Sequence, residues 1–249
     1  ILVGLVGSEM CIRDSNIVAC LELHIEQGKV LEQKNIDIGI VRSIPSISRF
    51  SVEVNGQAGH SGTILMDQRA DALVTSSEII TFVNKLTLRL AKESNQHFVS
   101  TIGKINVHPN AAAIIPGKVE MTIDLRASSK SSRDQYIKEL EKQIETMNQS
   151  GPCKIKMKNI AFAPYVEMDK ELVKLFKISS DEYGFSNIVM DSGAGHDTAH
   201  LSRVAPASMI FVPCMDGLSH CPEEYAEISD ISKGTAVLFK MVEKLASSN

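Results

Sequence analysis

The chain has 249 residues, 43% of them hydrophobic and 22% charged, which is the composition of an ordinary globular protein of one or two domains. A net charge of −4 gives no electrostatic reason to expect nucleic acid or a membrane surface as a partner. No apolar run reaches the roughly 20 residues of a membrane span, and five scattered cysteines without a CxxC pair favour a cytoplasmic protein.

The first fifteen residues blend poorly with the sequence that follows. The chain begins at Ile1 rather than Met, and the opening apolar run has no basic region before it, so it does not fit a signal peptide. We therefore expect residues 1–15 to be an artefact that is foreign to the fold, and the chain to be a piece of a longer protein.

A strand with a polar face is predicted within residues 21–28. Side chains alternate between the two faces of a strand, which puts Glu22, His24 and Glu26 on one face and leucine and isoleucine on the other. A strand that sends imidazole and carboxylate groups the same way is suited to holding a cation. His24 and Glu26 are equal candidates for ligands on this ground.

The pattern over residues 43–163 predicts a self-contained α+β unit inserted in the chain. Alternating apolar residues predict four strands, which begin near Phe50, Val99, Val119 and Ile155. Helical spacing predicts two helices between them, the first capped by Asp67. The order strand–helix–strand–strand–helix–strand is the split ferredoxin-like arrangement. The first helix is expected to bury Ala70, Leu73, Val74, Ile80, Val83 and Leu86.

Helices and short strands alternate after Pro164, which predicts an α/β domain with a parallel sheet covered by helices. We expect the strand that carries His24 to join this sheet. The domain then consists of residues 16–42 and 164–249, interrupted by the inserted unit.

A glycine-rich turn at residues 191–197 follows a predicted strand and opens a helix. Its backbone N–H groups could approach an anion such as a substrate carboxylate, although a plain tight turn is the alternative. His196 and His200 have the i, i+4 spacing of a zincin pair. We reject a zincin because Asp197 stands where that motif has glutamate.

Two further sets of polar residues lie in loops or at strand ends. His220 follows a buried strand and has Glu223 and Glu224 nearby, so it is either a supported metal ligand or an exposed loop histidine. His60, Asn110 and Arg126 together would suit an oxyanion or carboxylate, although each alone is more often a solvated polar residue.

The motifs as a set resemble the amidase/hydantoinase/carbamoylase family of dinuclear zinc-type hydrolases, which includes N-carbamoyl-L-amino-acid hydrolases, allantoate amidohydrolases and β-ureidopropionases. The resemblance covers about residues 18–245. It rests on Leu23-His24-Ile25-Glu26-Gln27-Gly28, Gly59-His60-Ser61-Gly62, Arg69-Ala70-Asp71-Ala72, His108-Pro109-Asn110-Ala111, Ile115-Pro116-Gly117, Asp124-Leu125-Arg126, Ser192-Gly193-Ala194-Gly195-His196-Asp197 and Ser219-His220-Cys221-Pro222-Glu223.

The resemblance implies a zinc-aminopeptidase-like catalytic domain with two divalent ions, zinc or manganese, and an inserted lid domain that forms a homodimer. His24 and His220 would each hold one ion, and Gln27 would contact the substrate. Asn110 and Arg126 would reach the substrate from the lid, with His60 acting as a catalytic residue across the dimer. The substrate carboxylate would lie against the turn formed by Ser192, Gly193, Ala194, Gly195 and His196.

The implied reaction is hydrolysis of a carbon–nitrogen bond other than a peptide bond, in allantoate or an N-carbamoyl-L-amino acid. The family's third histidine ligand, bridging aspartate and glutamate pair have no counterpart in residues 1–23, so we expect this chain to be inactive alone. Residues 62–66 also depart from the family pattern. The alternatives are a related aminoacylase or aminopeptidase, which Gln27, Asn110 and Arg126 disfavour, and a non-catalytic dimeric carboxylate-binding protein.

Overall fold

A computed structural model describes residues 17–94 and 96–247 and divides the chain into two compact units. The first unit consists of the residues up to Pro45 and those from Val166 onwards, and the second unit is Ser46–Tyr165. These boundaries lie two or three positions from the predicted 43–163. The expectation about residues 1–15 falls outside the described residues.

The first half of the chain contains β1 (Cys20–Ile25), α1 (Val30–Lys34), β2 (Ile38–Ile44), β3 (Ser46–Asn55), β4 (Gly59–His60), α2 (Ala72–Ser94), β5 (Phe98–His108), β6 (Ile114–Ile115) and β7 (Lys118–Ala127). The second half contains α3 (Lys130–Ser150), β8 (Lys154–Ala163), β9 (Val166–Glu167), α4 (Lys170–Glu182), β10 (Asn187–Asp191), α5 (Thr198–Leu201), β11 (Ala207–Val212) and α6 (Ile228–Ser247). Single 3-10 turns lie at Met66–Gln68 and Met215–Gly217.

The sheet of the first unit is mixed, so the prediction of a parallel sheet is wrong in part. Its order is β1-β11-β2-β10, with β9 beside β2. β1 runs parallel to β11 and β10 parallel to β2, but β2 runs antiparallel to both β11 and β9. The reason is the connection after β1: the short helix α1 returns the chain without a full crossover, so β2 runs back. The expectation that the His24 strand joins this sheet is confirmed.

Helices α4 and α6 cover one face of that sheet. Leu23 points to this side with its neighbours Leu21 and Ile25, and it packs against the buried Val237 of α6 and the buried strand residues. The opposite face carries Phe211 together with the polar side chains of β1. The alternation predicted for residues 21–25 therefore places the polar face of β1 away from the two long helices.

The second unit has the predicted ferredoxin-like order. Its antiparallel sheet runs β5-β7-β3-β8, and α2 and α3 pack on one face over a core built from both helices and all four strands. A small ladder of β4 and β6 stands beside this sheet. The strand predictions near Phe50, Val99, Val119 and Ile155 are confirmed by β3, β5, β7 and β8.

Helix α2 begins later than predicted and buries a different stripe. Asp71, not Asp67, caps it, with its Oδ1 accepting hydrogen bonds from the backbone N–H groups of Leu73 and Val74 at 2.9 and 3.2 Å. Leu73, Val74 and Ile80 were expected inside and are exposed. Apolar residues occur on both sides of this helix, and the buried stripe follows Ala72, Ile79, Val83, Leu86 and Leu90.

Within the described residues, the helices are all too short or too polar to cross a membrane.

Candidate metal and substrate site

Strand β1 presents Glu22 and His24 on one face of the first unit's sheet. In the parallel pairing with β11, Glu22 lies beside Met209 and His24 beside Phe211. Because both strands end at the same edge, the loops that follow them share that edge, which is where α/β sheets bind ligands. Both polar side chains are partly exposed there.

The imidazole of His24 is oriented by its own strand. Its Nδ1 lies 2.8 Å from the carbonyl oxygen of Ile25, and a carbonyl can only accept, so Nδ1 carries the proton and Nε2 keeps a free lone pair. Fixing of one ring nitrogen by a backbone carbonyl is the usual arrangement behind a metal-binding histidine. His24 thus fits the role of a ligand.

Glu22 ties β1 to the start of α5. Its Oε2 accepts a hydrogen bond from the backbone N–H of Thr198 at 2.9 Å and a second from the Thr198 hydroxyl. Its other oxygen, Oε1, lies 3.8 Å from Nδ1 of His196. Thr198 is fully buried, so one carboxylate oxygen of Glu22 is held firmly and the other faces an imidazole.

His196 is packed between these groups and the turn before it. Its Nε2 lies 2.8 Å from Oγ of Ser192, and its ring centroid lies 4.8 Å from that of His24 and 5.4 Å from that of Phe211. Burial, reinforced by the neighbouring imidazole of His24, lowers the pKa of His196 to about 4 against the opposing effect of Glu22 and Asp197. The ring is therefore neutral at pH 7.

The side chains of Ser192, His196 and Glu22 lie in a row, as in a serine–histidine–acid triad. The serine is nevertheless not placed as a nucleophile. Ser192 is fully buried. Its Oγ lies 3.0 Å from the carbonyl oxygen of Ala194 and accepts from the backbone N–H of the same residue at 3.0 Å. These contacts close the turn on itself. The predicted role of residues 192–196 in holding a substrate carboxylate stays a prediction.

Only one group of three or more histidine, cysteine or acidic side chains within the described ranges could hold a metal ion. It consists of Glu22, His24 and His196, whose ligand atoms all lie within 4.8 Å of one another. His220 is not a member of it.

The loop that carries His220 is tied to the end of β1. Nε2 of Gln27 donates a hydrogen bond to Oγ of Ser219 at 2.7 Å, and Gln27 and His220 both have positive φ, 56° and 60°. The two loops approach closely, since a Cβ on Gly217 would stand 2.7 Å from the backbone carbon of Gly28. His220 itself is exposed, and its backbone N–H donates to Oε2 of Glu224 at 2.8 Å.

Glu26 does not share the polar face of β1. The strand ends at Ile25, and the buried Glu26 turns to accept hydrogen bonds from the backbone N–H groups of Val30 and Leu31, both at 2.8 Å. It caps α1, and this agrees with a supporting role rather than a ligand role.

Of the three site residues predicted in the second unit, Arg126 lies apart from His60 and Asn110. The exposed His60 lies in β4 beside β6, and its Nδ1 accepts from the backbone N–H of Gly62 at 3.0 Å. Asn110, with φ 56°, lies in the adjacent loop that leads to β6. Arg126 lies near the opposite end of β7, where its Nε donates to Asp124 at 3.0 Å.

The candidate group contains two residues that the sequence reasoning did not assign as ligands. Glu22 was placed on the polar face of the strand but not chosen, and His196 was assigned to the substrate. The period-two alternation of β1 carried the signal for Glu22. The approach of His196 depends on the pairing of β1 with β11, which the local sequence does not specify.

The fold and the site together define the class of protein. The family model for peptidase family M20/M25/M40 matches residues 4–244, so the chain belongs to this family. The match begins inside the stretch that was expected to be foreign.

Several named relatives of the chain are amidohydrolases. The chain is 38% identical over 224 residues to an N-carbamoyl-L-amino-acid amidohydrolase of Pseudomonas sp. (strain NS671), covering 90% of this chain and 53% of the relative. It is 38% identical over 237 residues to the allantoate amidohydrolase of Bacillus subtilis (strain 168), covering 93% and 55%. The crystal structure of an amidase of the hydantoinase/carbamoylase family from Burkholderia multivorans superposes with a TM-score of 0.86 at 32% identity, covering 92% and 55%. The chain thus spans about half the length of the relatives it matches.

Proposed function

We propose that the protein to which this chain belongs is a metal-dependent hydrolase of linear amide or ureido C–N bonds, acting on allantoate or an N-carbamoyl-L-amino acid. The observation that carries the proposal is the orientation of His24, whose Nε2 lone pair is left free at the strand edge where ligands bind. Equal identity to an allantoate and a carbamoyl amidohydrolase supports the bond type and leaves both substrates as candidates.

In this proposal His24 and His220 would each hold one ion of a pair, zinc or manganese. Bound divalent metal supplies an activated water at neutral pH and polarises the carbonyl of the substrate. A hydrogen bond between Gln27 and Ser219 joins the end of the His24 strand to the loop that carries His220. This bond would help to fix the position of one imidazole relative to the other. The remaining ligands and the general base would come from outside this chain, which spans about half the length of its relatives.

The second unit would supply the groups that bind and protonate the substrate. Arg126 offers a fork of N–H donors for a carboxylate, Asn110 an amide, and His60 a proton donor. Positions 118 and 126 of β7 mark opposite ends of the ladder with β5, roughly 26 Å apart at about 3.3 Å per residue. That span exceeds a small ureido acid, which supports a homodimer in which His60 acts on the substrate of the other copy.

The test is ammonia release by the full-length protein. The metal-free protein is assayed on allantoate and on a set of N-carbamoyl-L-amino acids, before and after zinc or manganese is restored. We expect activity on one of these substrate classes, dependent on about two metal equivalents per chain. The isolated 249-residue chain is expected to show none.

Hydrolysis of aminoacyl or N-acetyl substrates without ureido activity would overturn the proposed substrate class. Absence of bound metal together with tight binding of a ureido acid would favour the non-catalytic binding protein instead.

A further inference from the structure

We propose that Glu22, His24 and His196 form a cation site of their own, which this chain fills with a single zinc ion without ligands from elsewhere. The site shares His24 with the proposed function but requires neither its second ion nor its hydrolytic activity. It reassigns His196 from the substrate to the metal and gives Glu22 a ligand role.

Each of the three residues has one polar atom held by the protein and one left over. Nδ1 of His24 is fixed at 2.8 Å on the carbonyl of Ile25, which leaves Nε2. Nε2 of His196 is fixed at 2.8 Å on Ser192, which leaves Nδ1. Oε2 of Glu22 is fixed by the backbone and hydroxyl of Thr198, which leaves Oε1. Such outer contacts are what orient metal ligands and set the histidine tautomer.

Two of the leftover atoms lie near each other without bonding, and all three residues bring a ligand atom to the same place. Oε1 of Glu22 and Nδ1 of His196 are 3.8 Å apart, beyond a hydrogen bond, and the ligand atoms of all three residues lie within 4.8 Å. Ligand atoms on a tetrahedral zinc with bonds of about 2.0–2.1 Å are about 3.4 Å apart. The group is therefore slightly too open and closes on an ion through side-chain rotation.

Two imidazoles and one carboxylate are a ligand set that zinc takes in proteins, with a fourth position left for water. Magnesium and calcium prefer oxygen ligands throughout, so the set selects against them. The His196 side chain is only 1% exposed while that of Glu22 is 21% exposed, so an ion would enter past Glu22.

His220 provides the contrast that makes the proposal testable. It is exposed, its loop is held through Ser219 and Glu224, and it belongs to no candidate group among the residues that the structure describes. A site organised by the family pattern would depend on His24 and His220. The site proposed here depends on His24, His196 and Glu22.

The experiment is a zinc titration of the purified 249-residue chain against a chromophoric chelator, with cobalt(II) absorption as a second readout. We expect one equivalent of zinc and the visible spectrum of a four-coordinate cobalt complex. Glu22→Gln, His24→Gln and His196→Gln should each weaken zinc binding by more than the roughly 10- to 100-fold that loss of an outer contact costs.

Two milder variants cover the case in which a ligand variant fails to fold. Ser192→Ala and Thr198→Val remove one outer contact each and keep the ligands, so we expect roughly 10- to 100-fold weaker zinc binding with the cobalt spectrum retained. The exposed His200→Gln is the matched control and should bind zinc like the unaltered chain. His220→Gln distinguishes this site from one that depends on His24 and His220, and we expect it to leave the single zinc ion bound.

Three results would overturn the proposal: no zinc bound by the unaltered chain, zinc binding that survives His196→Gln, or zinc binding that His220→Gln abolishes. None of these results concerns ammonia release by the full-length protein, so the proposed function is tested independently.

Discussion

At the scale of single residues, Asp124 binds two arginines of the second unit, Arg49 and Arg126. It accepts from Nε of Arg49 at 2.8 Å and from Nε of Arg126 at 3.0 Å. Partial burial acts to raise the pKa of Asp124, but the hydrogen bonds from the two arginines hold it below its ordinary value. Both arginines therefore share one structural anchor, while only Arg126 is a predicted substrate contact.

We expect Arg126→Ala in the full-length protein to lower kcat/KM by roughly 10²- to 10³-fold, the usual cost of removing one charge-stabilising donor. The bound metal should stay unchanged, because the proposed metal ligands His24 and His220 belong to the first unit and Arg126 belongs to the second. Steady-state kinetics and metal analysis check both points. Arg49→Ala is the matched control, since it removes the same ion pair with Asp124 and should keep most of the activity. Metal lost together with activity would make Arg126 structural.

Strand alternation predicted the direction of some side chains in residues 21–28 correctly and of one wrongly. Alternation correctly placed Glu22 and His24 on one face, because both lie inside β1. It failed for Glu26, since the strand ends one residue earlier and the side chain caps α1 instead. The length of a strand depends on its partner β11, and the sequence of residues 21–28 does not contain that information.

At the scale of elements, β1 is held in place by the close approach of α6. A Cβ on Gly234 would stand 2.7 Å from Cδ1 of Leu23 and 2.7 Å from Cγ1 of Val212. Both contacts belong to the buried face of the first unit's sheet, directly behind the polar face of β1. Glycine at this position lets the helix lie close to the strand that carries Glu22 and His24.

Gly234→Ala should lower the free energy of unfolding by about 1–2 kcal/mol. Overpacking a core costs about 1–3 kcal/mol, and the better helix propensity of alanine returns up to about 1 kcal/mol. Urea denaturation followed by circular dichroism measures the change. Gly103→Ala in β5 is the control, because a Cβ there meets nothing within 4 Å. Equal stability of the two variants would contradict this account of the packing.

Helix α3 buries a phenol that makes the second unit sensitive to alkali. Tyr136 is fully buried, its hydroxyl lies 2.8 Å from Oγ of Ser100, and burial raises its pKa from 10.0 to about 12. The folded state therefore holds the proton more tightly than the unfolded state. Its contribution is complete below pH 10 and is lost as the pH rises toward 12.

We expect the free energy of unfolding to fall by roughly 3 kcal/mol between pH 10 and pH 12 because of this residue. Tyr136→Phe should remove that part of the decline, while Tyr183→Phe, at an exposed tyrosine, should not. Denaturation at a series of pH values compares the three proteins. An identical alkaline slope in the unaltered chain and in Tyr136→Phe would contradict the prediction.

Elements with a strong period could be predicted from the sequence, and elements set by distant partners could not. The four strands and two helices of the second unit follow from alternation and helical spacing within each segment. Helix α1, with five residues, has too few turns to show a period. The direction of β2 depends on pairing with β11, far along the chain, so a mixed sheet was not foreseen.

At the scale of the whole molecule, the chain combines a complete ferredoxin-like unit with a sheet unit that carries part of a site. Each unit has its own hydrophobic core. The first unit has one apolar cluster on each face of its sheet, and the second unit has a single cluster between its sheet and its two helices. The resemblance to the amidase/hydantoinase/carbamoylase family followed from motifs spread over most of the chain, and the match to the family model over residues 4–244 agrees with it. The placement of His196 beside His24 did not, because it arises from the fold rather than from either motif.

The central claim, that His24 is a metal ligand of a C–N hydrolase, is tested most directly by His24→Ala beside His200→Ala in the full-length protein. Bound metal and ammonia release from allantoate and N-carbamoyl-L-amino acids are measured on both variants. We predict that His24→Ala loses metal and activity together, while His200→Ala, at an exposed histidine, keeps both. Undiminished metal content and turnover in His24→Ala would contradict the claim.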